Sequence, residues 1–275
     1  MAKRIKKGRA PQIGGLPNYR ADTGADIRMN VLVYGLSGIG KTRFIGSADK
    51  SPLATPMLLI DVEGGTLSIA GSKITIVRPT SFKQIQEIYD FLRHDNDYYK
   101  SVGVDSVTEL QRKLSMGEIT GTLDEDSSYK NLADHTPTDR YGWLQTGEQM
   151  RKFIRAFRDL AYHPESEKRI HVFMTALEKS DDVRQIVCPS LPGLLGLEIG
   201  ASMDVLARMS MQILKVGDKK KKIRQLRMSE WLDDDGTKYL AKARVPEAAK
   251  FPKELWRPTV QKLLSNWMSE GGDEE

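Results

Sequence analysis

The sequence predicts an α/β fold: a mainly parallel central sheet flanked by helices, with antiparallel strands toward the C-terminus. Three observations carry this. Short apolar runs alternate with helix-periodic segments from Met29 to Met174. A glycine loop joins the first run directly to a helical segment. From Val205 onward, apolar and polar residues alternate as they do on a half-buried antiparallel strand.

In order, Met29–Tyr34 reads as a buried strand, followed by the loop Gly35–Thr42 and a helix from Lys41 to about Asp49. Met57–Ile60 and Ile74–Val77 read as the second and third strands, the former running into Asp61-Val-Glu63-Gly-Gly65. Thr80 or Ser81 caps a helix whose Phe82, Ile85, Ile88, Tyr89 and Leu92 share one face. Ser101–Val104 is a fourth strand, ending in Asp105-Ser106. Residues 115–140 lack periodicity and predict a long loop. Trp143, Met150, Phe153, Ile154, Phe157, Leu160 and Ala161 predict a long helix, stopped by His163-Pro164. Ile170–Met174 is a fifth strand, and residues 178–202, with Pro189, Pro192, Gly193, Gly196 and Gly200, predict a second irregular loop. Val205–Ile213 forms a strand that turns back at Gly217-Asp218 into a lysine run. A turn at Asp233–Gly236 precedes Tyr239–Arg244, and a helix from about Pro258 carries Val260, Leu263, Leu264 and Trp267. The domain organisation expected is an arm over 1–26, one domain over 27–269 and an acidic tail over 270–275.

Composition narrows the class. The 275 residues are 39% hydrophobic and 29% charged, the balance of a globular protein. No apolar run approaches the roughly 18 residues of a membrane span, and Gly14, Gly15 and Pro17 stand where a signal peptide needs an apolar core. A cytoplasmic protein with no membrane partner is expected. Cys188 is the only cysteine, so no internal disulfide forms, and the four histidines have no zinc-ligand spacing with it. Lys3, Arg4, Lys6, Lys7, Arg9 and Arg20 precede any acid, so the basic balance (net charge +5) resides largely in this arm. A second basic segment, Lys215–Arg227, includes Lys219, Lys220, Lys221 and Lys222, and an anionic polymer is a compatible partner for both.

The loop Gly35-Leu-Ser37-Gly38-Ile39-Gly40-Lys41-Thr42 matches the phosphate-loop pattern between the required strand and helix. Its glycines let backbone N–H groups surround a β-phosphate. Lys41 reaches the β- and γ-phosphates, the Thr42 hydroxyl ligates Mg²⁺, and Ser37, Ile39 and Arg43 complete the nucleotide-binding stretch. ATP and Mg²⁺ are the expected ligands. A second acid on the magnesium side belongs at a strand end, and Asp105 is the candidate; a helix-capping role is its alternative. Two further strands separate the phosphate-loop strand from that of Asp105, which favours the RecA and AAA-like branch over kinases and GTPases. Glu63 at the end of an intervening strand is the expected general base, polarising the attacking water.

Tyr34–Thr42, Leu59–Gly65 and Val104–Leu110 together resemble the phage-encoded RecA-like nucleotide-binding proteins, ATPases of single-strand annealing and recombination. The resemblance covers about Ile27 to Arg244 in element order. It implies a RecA-like P-loop core, single-stranded DNA as partner, self-assembly, a single-stranded DNA-binding protein as a further partner, and the cytoplasm of a bacterial host. It also implies that Thr175 stands where RecA senses the γ-phosphate, and that residues 115–140 and 178–202 match the two DNA-binding loops. Lys242 and Arg244 resemble basic residues that reach a neighbouring subunit's ATP; a solvated strand end is the other reading. The lysines at 219–222 are candidate DNA contacts. The chain lacks the large accessory domain of cellular recombinases, so annealing is expected rather than strand exchange. The competing readings are a ring helicase or motor ATPase, a nucleotide-gated protein-interaction module and, with least support from the sequence, a small-molecule kinase.

Overall fold

The computed structural model describes residues 28–122, 140–216, 219–244 and 251–268. The predicted arm 1–26, the tail 270–275, the Gly217-Asp218 turn and residues 123–139 of the first predicted loop lie outside the described residues.

The strands, in chain order, are β1 Asn30–Gly35, β2 Met57–Asp61, β3 Thr75–Val77, β4 Ser101–Asp105, β5 His171–Asp181, β6 Ile186–Pro189, β7 Val205–Val216, β8 Lys219–Arg227, β9 Trp231–Leu232, β10 Lys238–Tyr239, β11 Lys242–Ala243 and β12 Glu254–Trp256. The α-helices are α1 Lys41–Gly46, α2 Phe82–Asp90, α3 Val107–Glu109, α4 Met116–Thr120, α5 Arg140–Asp159, α6 Leu195–Glu198 and α7 Val260–Met268. The main sheet runs β12-β8-β7-β1-β5-β4-β2-β3. Its neighbours from β7 to β3 are parallel, while β8, β11 and β12 join antiparallel. The expected α/β class and C-terminal antiparallel strands are therefore present.

Alternation within the strands builds the two layers. Leu32 and Tyr34 of β1 face the cluster containing Phe153, Ile154 and Phe157 of α5, whereas Val31 and Val33 face Phe44 and Ile45 of α1 with Leu263 and Leu264 of α7. Both faces are covered, which is why the parallel strands read as continuous apolar runs. α2 starts at the predicted cap: the Ser81 hydroxyl accepts from the Gln84 N–H at 3.3 Å.

Three segments differ from the sequence expectation. The chain is helical from Val107 to Thr120, with a π-helical stretch Leu110–Ser115 between α3 and α4, so the first loop cannot begin at Ser115. Val107, Leu110 and Leu114 are buried at helical spacing, and Gly121 ends the helix at φ 64°. The second predicted loop contains structure: β5 runs on to Asp181, pairs antiparallel with β6, and is followed by α6. Beyond Leu177 the β5 arm carries Glu178, Lys179, Ser180 and Asp181, so although Val187 and Cys188 of β6 are buried, the hairpin displays no apolar period in the sequence. Trp143 is 41% exposed; the predicted Met150, Phe153, Ile154 and Phe157 are buried, and Thr146 and Gly142 continue that face of α5 toward its start.

Candidate nucleotide site

β1 ends at Gly35, where the parallel strands deliver their C-terminal ends, and the chain leaves the sheet through residues 36–40 before α1. Gly40 has φ 107°, a conformation that a side chain strains. A Cβ there would also lie 2.6 Å from the Arg224 Nε. Gly35 is required for another reason: its Cβ would meet the Met209 carbonyl oxygen at 2.5 Å, because β7 packs alongside. The first turn of α1 holds no acidic residue, which leaves its free N–H groups available to an anion.

Lys41 is 6% exposed, and its Nζ donates to the carbonyls of Gly35 and Leu36, both at 2.9 Å. Burial lowers the ammonium pKa below the ordinary lysine range, and the carboxylates of Glu63, Asp105 and Glu178 oppose that shift. One residue along, Thr42 Oγ1 donates to Asp105 Oδ2 at 2.6 Å. Asp105 is fully buried at the end of β4. β5 lies between β1 and β4 and carries Thr175 opposite Val33, so the Thr175 hydroxyl donates to the other oxygen of Asp105. Helix α1 and strand β5 thus each place a threonine hydroxyl on the one carboxylate that ends β4. In this structure Thr175 faces that carboxylate, behind the phosphate loop.

Glu63 follows β2, which is next to β4. The N–H groups of Val62 and Glu63 both donate to the Asp105 carbonyl, at 2.8 and 3.2 Å. Asp61 holds the turn from below: Oδ1 accepts from the Gly64 N–H at 2.7 Å and Oδ2 from Arg78 Nε at 2.9 Å. The Glu63 side chain is exposed overall, yet partial loss of water around its carboxylate, followed by the Asp105 charge, raises its pKa. A hydrogen bond from Ser106 and the Lys41 charge act against this. A carboxylate held at the mouth of the site beside a buried lysine and a buried aspartate suits a general base.

Thr42 and Asp105 present hard oxygen donors hydrogen-bonded to each other, the set that Mg²⁺ uses together with substrate phosphates. Among the described residues no group of three or more His, Cys, Asp or Glu could hold a metal by itself. Ser37 and Arg43 are exposed on the loop and α1. From Gly40 a groove of about 920 Å³ opens past Phe44 and Ser47 toward Ser68–Ser72 on one side and Lys221–Arg224 on the other.

The remaining candidates lie apart. Lys242 pairs with Leu206 at the start of β7, and the Arg244 N–H donates to the Asp204 carbonyl at 2.7 Å. β7 runs parallel to β1, so both residues sit at the opposite end of the sheet from Gly35 of the same chain. Lys220, Lys221 and Lys222 are exposed on β8 within the β7–β8 hairpin, and Lys221 and Lys222 also line the groove. Sequence reasoning missed Ser106, Arg224, Glu178 and Arg208. Ser106 had a signal in its place directly after Asp105, and Arg224 in its place within the basic segment Lys215–Arg227; Glu178 and Arg208 had none. Glu178 and Arg208 form a bidentate ion pair at 2.9 and 3.2 Å, with Arg208 stacked on Tyr239, across strands distant in sequence.

An AAA domain matches the sequence over residues 27–245. No curated protein matches it. Among solved structures, an ATPase from the type III secretion system of pathogenic bacteria is similar at 17% identity and a TM-score of 0.42, over 67% of this chain and 52% of that one. This chain thus spans about half the length of that protein. No helix among the described residues is long and apolar enough to cross a membrane. With the phosphate loop, the buried Asp105 and the family match agreeing, the chain has a P-loop ATPase-like fold and belongs to the AAA domain family.

Proposed function

We propose that this protein binds and hydrolyses ATP while acting on single-stranded DNA in annealing or homologous recombination, as a homo-oligomer and beside a single-stranded DNA-binding protein. The observation that carries the ATPase part is the convergence of Thr42, Thr175 and Glu63 on Asp105 beside Lys41. The loop N–H groups and Lys41 hold the phosphates, and the groove beyond Gly40 accommodates the nucleoside. Thr42 and Asp105 would hold Mg²⁺, which when bound neutralises charge developing on the transferred phosphoryl group. Glu63 orients and deprotonates the attacking water. Lys41, kept from solvent, stabilises negative charge more strongly than it could in water.

The DNA part is supported by the exposed lysines of β8, of which Lys221 and Lys222 line the groove that begins at Gly40. Self-assembly is supported by the position of Lys242 and Arg244. They are remote from their own chain's phosphate loop, as residues serving a neighbour's ATP must be.

The deciding experiment is steady-state ATP turnover at low salt with and without single-stranded DNA, with Lys41→Ala as the control for contaminating activity. The reading requires DNA-stimulated turnover that vanishes in the variant. ATP bound without stimulation by DNA would replace it with the nucleotide-gated interaction module, and ATP-driven unwinding of duplex would replace it with a motor.

A further inference from the structure

Arg224 lies on β8, 185 residues from the phosphate loop in sequence, and its Nε donates to the Ile39 carbonyl at 2.7 Å. The fit is close, since a Cβ on Gly40 would lie 2.6 Å from Nε and 3.2 Å from Cζ. No other side-chain hydrogen bond of Arg224 is formed among the described residues. Its backbone is fixed from both sides: β8 pairs Arg224 with Met211, and the Arg224 carbonyl accepts from the Arg257 N–H at 2.8 Å.

The Ile39–Gly40 peptide is trans, the cis bonds being Thr55-Pro56 and Asp105-Ser106. In a trans peptide the C=O and the next N–H point to opposite sides of the chain within one plane. Holding the Ile39 oxygen on Arg224 therefore directs the Gly40 N–H to the other side of the chain, away from Arg224. That N–H makes no hydrogen bond to a protein group among the described residues. A cation on the carbonyl also polarises the peptide and strengthens its N–H as a donor to an anion. The effect is reciprocal: a phosphate on the Gly40 N–H strengthens the Ile39 carbonyl as an acceptor for Arg224. Two residues from Arg224, Lys222 continues the exposed face of the hairpin, followed by Lys221 and Lys220.

We propose that Arg224 is a positioning residue that sets the Ile39–Gly40 peptide for phosphate binding and links occupancy of the loop to the basic β7–β8 hairpin. The proposal deepens the ATPase reading and rests on it. It explains why a basic strand belongs to the same groove as the nucleotide: tightening Arg224 on the loop tightens the strand that displays Lys220–Lys222.

The test uses the full chain and three variants, Arg224→Gln, Arg224→Lys and Lys41→Ala. It measures ATP and ADP affinity by calorimetry and amide hydrogen exchange of residues 210–223 with and without ADP. Arg224→Gln should bind both nucleotides about tenfold more weakly, the usual scale for one charge-assisted hydrogen bond. Arg224→Lys should fall between it and wild type. Added ADP should protect the hairpin amides in the wild-type chain, and this protection should disappear in Arg224→Gln even at saturating ADP, a result that general destabilisation would not produce. Wild-type affinity and protection in Arg224→Gln, or no protection by ADP in the wild-type chain, would overturn the proposal. If melting curves show that Arg224→Gln does not fold, Arg224→Lys decides alone: affinity reduced about two- to fivefold supports the linkage, and unchanged affinity overturns it. Loss of binding in Lys41→Ala but not in Arg224→Gln overturns this inference and leaves the ATPase reading standing. A wild-type chain that binds no nucleotide removes both.

Discussion

The phosphate-loop end of the sheet and the β7–β8 hairpin use charge in opposite ways. At the former, Lys41 and Asp105 are buried and each has fixed partners within hydrogen-bond distance. On the hairpin, Lys220, Lys221 and Lys222 are exposed, and the strand ladder alone fixes their spacing. Buried charge with fixed partners gives strong, directional electrostatics suited to a transition state. Exposed charge on a regular strand gives a salt-screened attraction suited to a polymer of variable sequence. Arg224 stands where the two regions meet.

The largest expected effect breaks the first region without touching the second. Glu63→Gln should lower turnover by roughly 10²- to 10⁴-fold while nucleotide affinity stays near wild type. Single-turnover hydrolysis measures this, and turnover within a few-fold of wild type would remove Glu63 from the chemistry. The same carboxylate sets a pH dependence. Its raised pKa means that the ionised base is lost as pH falls, so the acid limb of kcat should lie above the ordinary glutamate value and be absent from the residual rate of Glu63→Gln.

A smaller effect isolates the second region. Replacing Lys220, Lys221 and Lys222 by alanine should weaken single-stranded DNA binding and flatten its salt dependence, by about 0.7 in log–log slope for each phosphate no longer neutralised. If ATP affinity falls in parallel, Lys221 and Lys222 serve the groove rather than DNA; an unchanged slope makes them surface charges.

The smallest effect concerns the scaffold beneath both regions. His171 is buried, its Nδ1 accepts from the Met29 N–H at 3.0 Å, and burial pushes its pKa down to about 3. The unfolded chain takes up this proton near pH 6.5 and the folded one only near 3, so this contribution to stability is full above pH 6.5 and is lost as pH falls toward 3. Denaturant midpoints for wild type and His171→Asn should therefore converge between those values. A constant difference would show that the imidazole takes up its proton at the same pH in both states.

Legibility in the sequence followed how local each feature is. The phosphate loop, Asp105 and the strand before Glu63 were readable because each rests on a short run, a glycine pattern or an apolar strand ending in an acid. The β5–β6 hairpin was not, because its β5 arm is a polar run, residues 178–181, and the buried part of β6 is only residues 187–189, too short to show a period. The helix from Val107 had its apolar spacing, but Gly117 and the polar residues after it obscured the pattern.

The α/β class, the buried character of the parallel strands and the residues able to hold a nucleotide are all local properties, since they follow from side-chain periodicity and from backbone conformations that favour glycine. Chain packing is what sets Thr175 against Asp105, braces the phosphate loop with Arg224 from 185 residues away, and puts Lys242 and Arg244 at the far end of the sheet. These are meetings between strands whose order is fixed by the burial of both sheet faces, a property of the whole chain that no segment carries alone.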